Sequence, residues 1–244
     1  MNIDEVAEFE RHIASLKANI LSMRGNWYPY SSLANFQMLN EIVPGGWIKF
    51  QESLVGTRIA DIGAADGLTS FFLEKHGIDV DIIDHAQTNF NGLRGARELK
   101  TALNSPVKIY DIDLDSQFHL PNNYEFTLLL GILYHLKNPF YILEQLARTS
   151  KRIALSTRIF SHNVVGGVML RDIPVAYLVG PDECNNDPTN YWMLSRAGLQ
   201  RILERSGWNV KGFKTFGATD KSDPFSSEND ERAFVYAESR FNAI

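Results

Sequence analysis

The run Ile59-Ala60-Asp61-Ile62-Gly63-Ala64-Ala65-Asp66-Gly67 constrains this chain more than any other stretch. It reads as a buried strand that ends in an acid, turns through two glycines and enters a helix from about Asp66 to His76, closed by Gly77. Such a βα unit hides its apolar faces by returning to a neighbouring parallel strand. The chain supplies those strands: Val80 to Ile83 ending at Asp84, Val107 to Tyr110 ending at Asp111, and Tyr124 to Leu130, an apolar run suited to a sheet covered on both faces. Asn138 caps a helix with Pro139 at its first position, running to about Thr149, and Arg152 to Ser156 is a fifth strand. Ser195 caps another helix that ends at Gly207. Strands at Asn209 to Thr215 and Ala233 to Glu238 flank a polar segment read as an exposed hairpin tip. The predicted class is α/β, a doubly wound Rossmann-like sheet.

In front of that pattern, Val6, Phe9, Ile13, Leu16, Ile20 and Met23 form one stripe of an amphipathic helix from about Asp4 to Arg24. The stripe either packs on the main domain or makes a homodimer contact. Residues 25–56 are aromatic and irregular, a cap or pocket wall. The expected division is therefore residues 1–56, helix and aromatic cap, and 57–244, a ligand-binding domain whose stretch 157–191 is a long, substrate-facing insertion.

Composition narrows the partners. Lys plus Arg number 24 against 29 Asp plus Glu, and the net charge of −5 gives no general attraction to phosphate backbones. Local basic groups at Arg94/Arg97/Lys100 and Arg201/Arg205/Lys211/Lys214 are as well explained by solvated helix faces as by an RNA track. The lone Cys184 has no disulfide partner, the first nine residues carry three acids, and no apolar run has membrane-spanning length, so a cytoplasmic location is expected and no membrane contact.

The chemistry is expected at the carboxyl ends of the strands, where doubly wound folds bind ligands. Gly63 and Gly67 would let a ligand approach the backbone around Ala64, Ala65 and Asp66. Their spacing departs from the G-x-G-x-x-G of dinucleotide sites, and Asp61 would repel a phosphate while accepting hydrogen bonds from an ammonium group. That weakens a nicotinamide oxidoreductase reading. Asp84 is placed to accept both hydroxyls of a ribose. Asp111 would accept from an adenine amino group, with the amide of Ile112 meeting a ring nitrogen; Asp113 and Asp115, close by in the sequence, are the alternatives.

These residues resemble the class I S-adenosylmethionine (SAM)-dependent methyltransferases, through Asp61 to Gly67, Asp84, Asp111 and the exit of the fourth strand. Within that superfamily, Gly131-Ile132-Leu133-Tyr134-His135-Leu136-Lys137-Asn138-Pro139 looks like the signature of the tRNA wobble-uridine (carboxy)methyltransferase-like group. The stretch Asn190-Tyr191-Trp192-Met193-Leu194-Ser195 is similar to that group and to its relatives acting on sugars and small metabolites. The resemblance implies a seven-stranded sheet with its last strand antiparallel. It also implies SAM, or its product S-adenosyl-L-homocysteine, across strands one to four with Gly131 at its edge, and an acceptor beneath the cap.

A hydroxyl acceptor benefits from proton removal, and His135, leaving the fourth strand at the ligand edge, is the candidate base; the alternative is that Tyr134 and His135 pack against the cofactor or bond backbone. Tyr28, Tyr30, Tyr134 and Trp192 either line an acceptor pocket or belong to the core. The polar run Asp182 to Asp187 reads as solvated, and no metal is expected. The leading expectation is methyl transfer to a hydroxyl or amine of a small metabolite or glycoside, with a tRNA-modifying enzyme and a non-catalytic SAM-binding protein as alternatives.

Overall fold

The computed structural model describes residues 3–163, 167–225 and 228–241, so residues 164–166 of the expected insertion lie outside the described residues. Two units are resolved along the chain, Met1–Leu128 and Leu129–Ile244.

The first unit contains α1 (Ile3–Asn19), α2 (Asn35–Ile42), α3 (Trp47–Glu52), β1 (Arg58–Ile62), α4 (Leu68–Lys75), β2 (Asp79–Asp84), α5 (Arg94–Leu103), β3 (Lys108–Asp111) and most of β4 (Tyr124–Leu130). Strand order is β4-β1-β2-β3. The pairs β1–β2 and β2–β3 are parallel, with Ile62 opposite Ile83 and Asp84 opposite Asp111. The sheet is legible in sequence because Ile59, Ala60, Ile82, Ile83, Phe126 and Leu128 are fully buried, the apolar continuity that a sheet covered on both faces requires.

Two expectations change in front of the sheet. The N-terminal helix stops at Asn19, and a 3-10 turn, Leu21–Met23, carries the stripe onward. Phe9, Ile13 and Met23 are buried within their own chain, and the Phe9 ring meets Phe72 of α4 edge-on at 5.4 Å. That covers half of the stripe, while Val6, Leu16 and Ile20 stay partly exposed. The segment expected to be irregular holds the short helices α2 and α3, because Phe36, Trp47 and Phe50 are core residues whose rings stack at 4.9 and 5.8 Å. Helix α5, with Ala96 and Leu99 buried, was not anticipated as an element of the sheet's cover.

The second unit contains a 3-10 turn, Leu133–His135, then α6 (Pro139–Thr149), β5 (Ser150–Phe160), β6 (His162–Asn163), β7 (Val168–Met169), β8 (Ala176–Leu178), β9 (Trp192–Ser195), α7 (Arg196–Arg205), β10 (Trp208–Gly217) and β11 (Glu231–Ser239). Asn138 and Ser195 cap their helices as expected, accepting from the Tyr141 and Gly198 amides. Strand order is β10-β11-β5, both pairings antiparallel, with β9 parallel to β5 and β8 antiparallel to β9. The chain therefore has a mixed α/β fold, a mostly parallel sheet flanked by helices with antiparallel last strands, as in Rossmann-like methyltransferases.

Here too the sequence expectations need correction. The insertion begins later than residue 157, since β5 runs on to Phe160, and it is partly ordered into short strands. The described part of the segment between β10 and β11 is exposed only in part: Asp220, Lys221, Phe225 and Glu228 are exposed, whereas Ser222 and Asp223 are buried. Its Ser222 carbonyl accepts from the amides of Ser161 and His162, and the hydroxyls of Ser161 and Ser222 both donate to the buried Glu231 carboxylate. A polar composition looks solvent-exposed in sequence, yet here the polar groups satisfy one another inside.

Candidate functional site

In the first unit, three carboxylates stand at the ends of neighbouring strands. Asp61 is 4% exposed and accepts a hydrogen bond from the Ser70 hydroxyl at 2.6 Å. Burial pushes its carboxyl up to about 6, against the pull of Ser70 and with help from the Asp84 charge. Asp84 is also raised by burial, while hydrogen bonds from Asn89 and from the amides of His85 and Ala65 work in the other direction. Those bonds are 2.9, 2.8 and 3.3 Å long. Asp111 is exposed and accepts the Ala86 amide at 2.9 Å.

The turn between β1 and α4 separates the roles that sequence had grouped together. Gly63 (φ +70°), Ala65 (φ +52°) and Gly67 (φ +80°) all take left-handed backbone, which the non-glycine Ala65 adopts only under constraint. A Cβ on Gly67 would come within 2.8 Å of Ile82 Cδ1 and 3.0 Å of Phe71 Cε2, so its bare backbone serves helix-on-sheet packing and not ligand approach. Ala64 is buried beside it. The Ile112 amide, expected to meet a ring nitrogen, donates instead to the Asp84 carbonyl at 2.9 Å within the sheet.

Asp66 departs furthest from its expected part. It is 1% exposed and is bound by Lys17 Nζ (2.8 Å), the Tyr28 amide (2.9 Å) and Asn91 Nδ2 (2.7 Å). Its carboxylate is held by α1, the following segment and the loop before α5. Asp66 is thus a fastener that holds the N-terminal segment over the turn. Lys17, Asn89 and Asn91 are the members of this neighbourhood that sequence reasoning missed. Only the position of the two asparagines in the loop after Asp84 hinted at them. Tyr28 packs against Tyr30 and Phe90 at ring distances of 5.5 and 5.8 Å, and Tyr30 is 72% exposed, which argues against a core role for it.

In the second unit the exit of β4 carries Gly131, Tyr134 and His135. Gly131 has φ +77°, and a Cβ there would meet only Arg232 Nη1, at 4.0 Å, so its surroundings are open. Tyr134 lies 4.2 Å from the His135 ring, and its hydroxyl is 3.5 Å from Arg232 Nη1. His135 is half-buried, and desolvation lowers its imidazole below the ordinary value. Its Nδ1 lies 3.1 Å from the Thr189 carbonyl. Trp192 donates its indole hydrogen to the Lys137 carbonyl at 3.0 Å, fixing the ring on the same turn. Among the described residues, no group of three His, Cys, Asp or Glu is arranged to hold a metal ion, and Cys184 is buried with Arg158 Nη1 2.8 Å from its sulfur. Among the described residues, no helix is long and apolar enough to cross a membrane.

The fit to a nucleoside sulfonium rests on these donors and acceptors. The buried carboxylate of Asp61 and the half-buried one of Asp84 suit hydroxyl and ammonium donors and would repel a pyrophosphate.

Comparison with known proteins agrees with the fold. The N-terminal domain of EvdMO1, crystallised with S-adenosylhomocysteine, superposes with a TM-score of 0.57 at 21% identity, covering 79% of each chain. Magnesium protoporphyrin IX methyltransferase (ChlM) from Synechocystis, with SAM bound, gives 0.51 at 16% identity over 79% of this chain and 75% of that one. The [4+2]-cyclase SpnF gives 0.58 at 10% identity over 95% of both, so the fold alone does not specify the reaction. A search of curated proteins returned no match. The sequence profile described as tellurite resistance protein TehB matches residues 47–174, more than half of the chain. The resemblance read from the strand ends holds at the level of fold and family: the chain belongs to the TehB family and carries the class I methyltransferase fold.

Proposed function

We propose that this protein binds SAM and transfers its methyl group to a hydroxyl or amine of a small metabolite or glycoside. The observation that carries the reading is the set of carboxylates at the carboxyl ends of three adjacent parallel strands, Asp61 one residue before the end of β1 and Asp84 and Asp111 at the ends of β2 and β3. Their chemistry matches, in that order, an ammonium group, a ribose diol and an adenine amino group. SAM supplies an activated methyl on a sulfonium, so the protein's own contribution is alignment, exclusion of water and handling of one proton.

Asp61 holds the amino-acid end of the cofactor, and the ammonium draws the carboxyl back to its ionised form. Asp84 takes the ribose hydroxyls in place of its present partners Asn89 and the Ala65 amide. Residues 1–56 act as a cap, fastened to the turn through Lys17 and Asp66. Tyr134 and Trp192, on the turn that carries His135, contribute walls for the acceptor. His135 takes the proton of a hydroxyl acceptor. Its lowered pKa supports this, because an imidazole that stays neutral near pH 7 has a lone pair available.

The test is calorimetric titration with SAM and S-adenosylhomocysteine, followed by a screen of hydroxyl- and amine-bearing metabolites and glycosides read by mass spectrometry for methylated product. Asp84→Ala is expected to abolish cofactor binding. His135→Gln is expected to leave binding intact and to lower turnover of a hydroxyl acceptor by roughly 10²- to 10⁴-fold. A folded protein that binds neither cofactor form would remove the reading altogether, and wild-type turnover in His135→Gln would remove only the base.

A further inference from the structure

The turn that carries His135 is stitched to the far end of the long segment that follows β5. The Tyr191 amide donates to the Tyr134 carbonyl at 2.8 Å, and Trp192 Nε1 donates to the Lys137 carbonyl at 3.0 Å. Between these ties, His135 Nδ1 lies 3.1 Å from the Thr189 carbonyl oxygen and 3.0 Å from Thr189 Oγ1. Thr189 Oγ1 is in turn 2.6 Å from Asp187 Oδ1, which also accepts the Thr189 amide at 2.9 Å.

These contacts assign the hydrogens. A carbonyl oxygen can only accept, so Nδ1 must carry a proton to bond it. An ionised carboxylate can only accept, so the Thr189 hydroxyl hydrogen points to Asp187 and its oxygen is left to accept from Nδ1–H. Asp187 is ionised at neutral pH: burial works against the charge, but the two hydrogen bonds from Thr189 outweigh it and hold the carboxyl below its ordinary value. In a neutral ring with Nδ1 protonated, Nε2 keeps its lone pair.

We infer that Asp187 and Thr189 are positioning residues for His135, holding its imidazole in the Nδ1–H tautomer so that Nε2 is the basic nitrogen. The inference rests on His135 being the base proposed above and adds the residues that set its orientation and tautomer. It also assigns a task to a segment whose sequence showed only polar residues and turns. Asp187 touches no reacting atom; it acts by fixing the Thr189 hydroxyl, which acts on Nδ1. The other groups acting on the ring are Arg232, whose charge opposes protonation, and the Tyr134 ring at 4.2 Å.

The experiment is long-range ¹⁵N–¹H correlation NMR of the histidine rings across a pH titration of the intact protein, with the His135 signals assigned by their loss in His135→Gln. Wild type is expected to show Nδ1 protonated and Nε2 bare at neutral pH. Thr189→Val removes one of the two acceptors and should raise the Nε2–H population, while Thr189→Ser should restore the wild-type pattern. Asp187→Asn removes a negative charge that favours the protonated ring and should lower the ring's pKa below that of wild type. A wild-type ring protonated on Nε2, or spectra of Thr189→Val and Asp187→Asn that coincide with wild type, would overturn the inference. The readout needs no acceptor, so it stands apart from turnover: full activity in His135→Gln would sink the base and leave the tautomer result intact.

Discussion

Asp61 is the single residue whose environment says most about the ligand. Its carboxyl would titrate near 3.8 in an unfolded chain and titrates at about 6 in the folded one. A raised acid favours folding while protonated, so its contribution is fully present below about pH 3.8 and is lost as pH rises through about 6. At neutral pH the buried charge therefore costs stability, by about 3 kcal/mol as an upper figure from that difference. Asp61→Asn keeps an acceptor for Ser70 and removes the charge, so it should melt higher than wild type at pH 8, with the gap shrinking at pH 5. In the proposed function the same substitution should weaken SAM binding, and wild-type affinity should climb between pH 5 and 7 as Asp61 ionises. A flat wild-type affinity across that range in calorimetry would mean that no cation is bound there. Strand-end acids could be read from the sequence because period and punctuation mark the strand ends. What could not be read was Asp66, since nothing local distinguishes an acid that meets a ligand from one that meets Lys17, 49 positions away in the chain.

At the level of elements, the contact among α1, the β1–α4 turn and α5 depends on one close approach. A Cβ on Gly95 of α5 would lie 2.0 Å from Asp66 Oδ1 and 2.7 Å from Asn91 Nδ2. Neither group can move without breaking its bonds to the N-terminal segment. Gly95→Ala should therefore destabilise despite alanine's better helix propensity, by about 1–3 kcal/mol as for an overpacked core. Lys17→Met strands a buried carboxylate and should cost about 2 kcal/mol, less than a fully buried pair because Lys17 keeps some exposure. Thermal melts of both variants would check this, and an unchanged midpoint for either would show that the contact carries no weight. Elements with strong local signals were legible: β4, whose apolar run matched its observed span, and the helices capped by Asn138 and Ser195. Apart from the ten-residue α5, the elements that escaped, α2, α3 and β6 to β9, are short. Their formation is decided by burial of Phe36 and Trp47 or by strand pairing, and neither is visible in a local pattern.

For the whole molecule, charge is the property that sequence settles most directly. With −5 overall, a polyanion has no general reason to bind. Filter-binding assays with tRNA at about 0.1 M salt, where charges beyond roughly 10 Å are screened, should show no retention. Salt-dependent retention would reopen the RNA-modifying alternative. The family match reaches from α3 into the segment after β5, and the antiparallel end strands lie beyond it.

The knot at Asp66 also bears on how the polypeptide is made. Its members arrive in the order Lys17, Tyr28, Asp66, Asn91, and the glycine that leaves room for them, Gly95, comes last. On the ribosome the first helix is synthesised long before anything exists for its lysine to hold. Phe72 follows soon after Asp66 and can cover Phe9, but the knot itself closes only once the ninety-fifth residue has emerged.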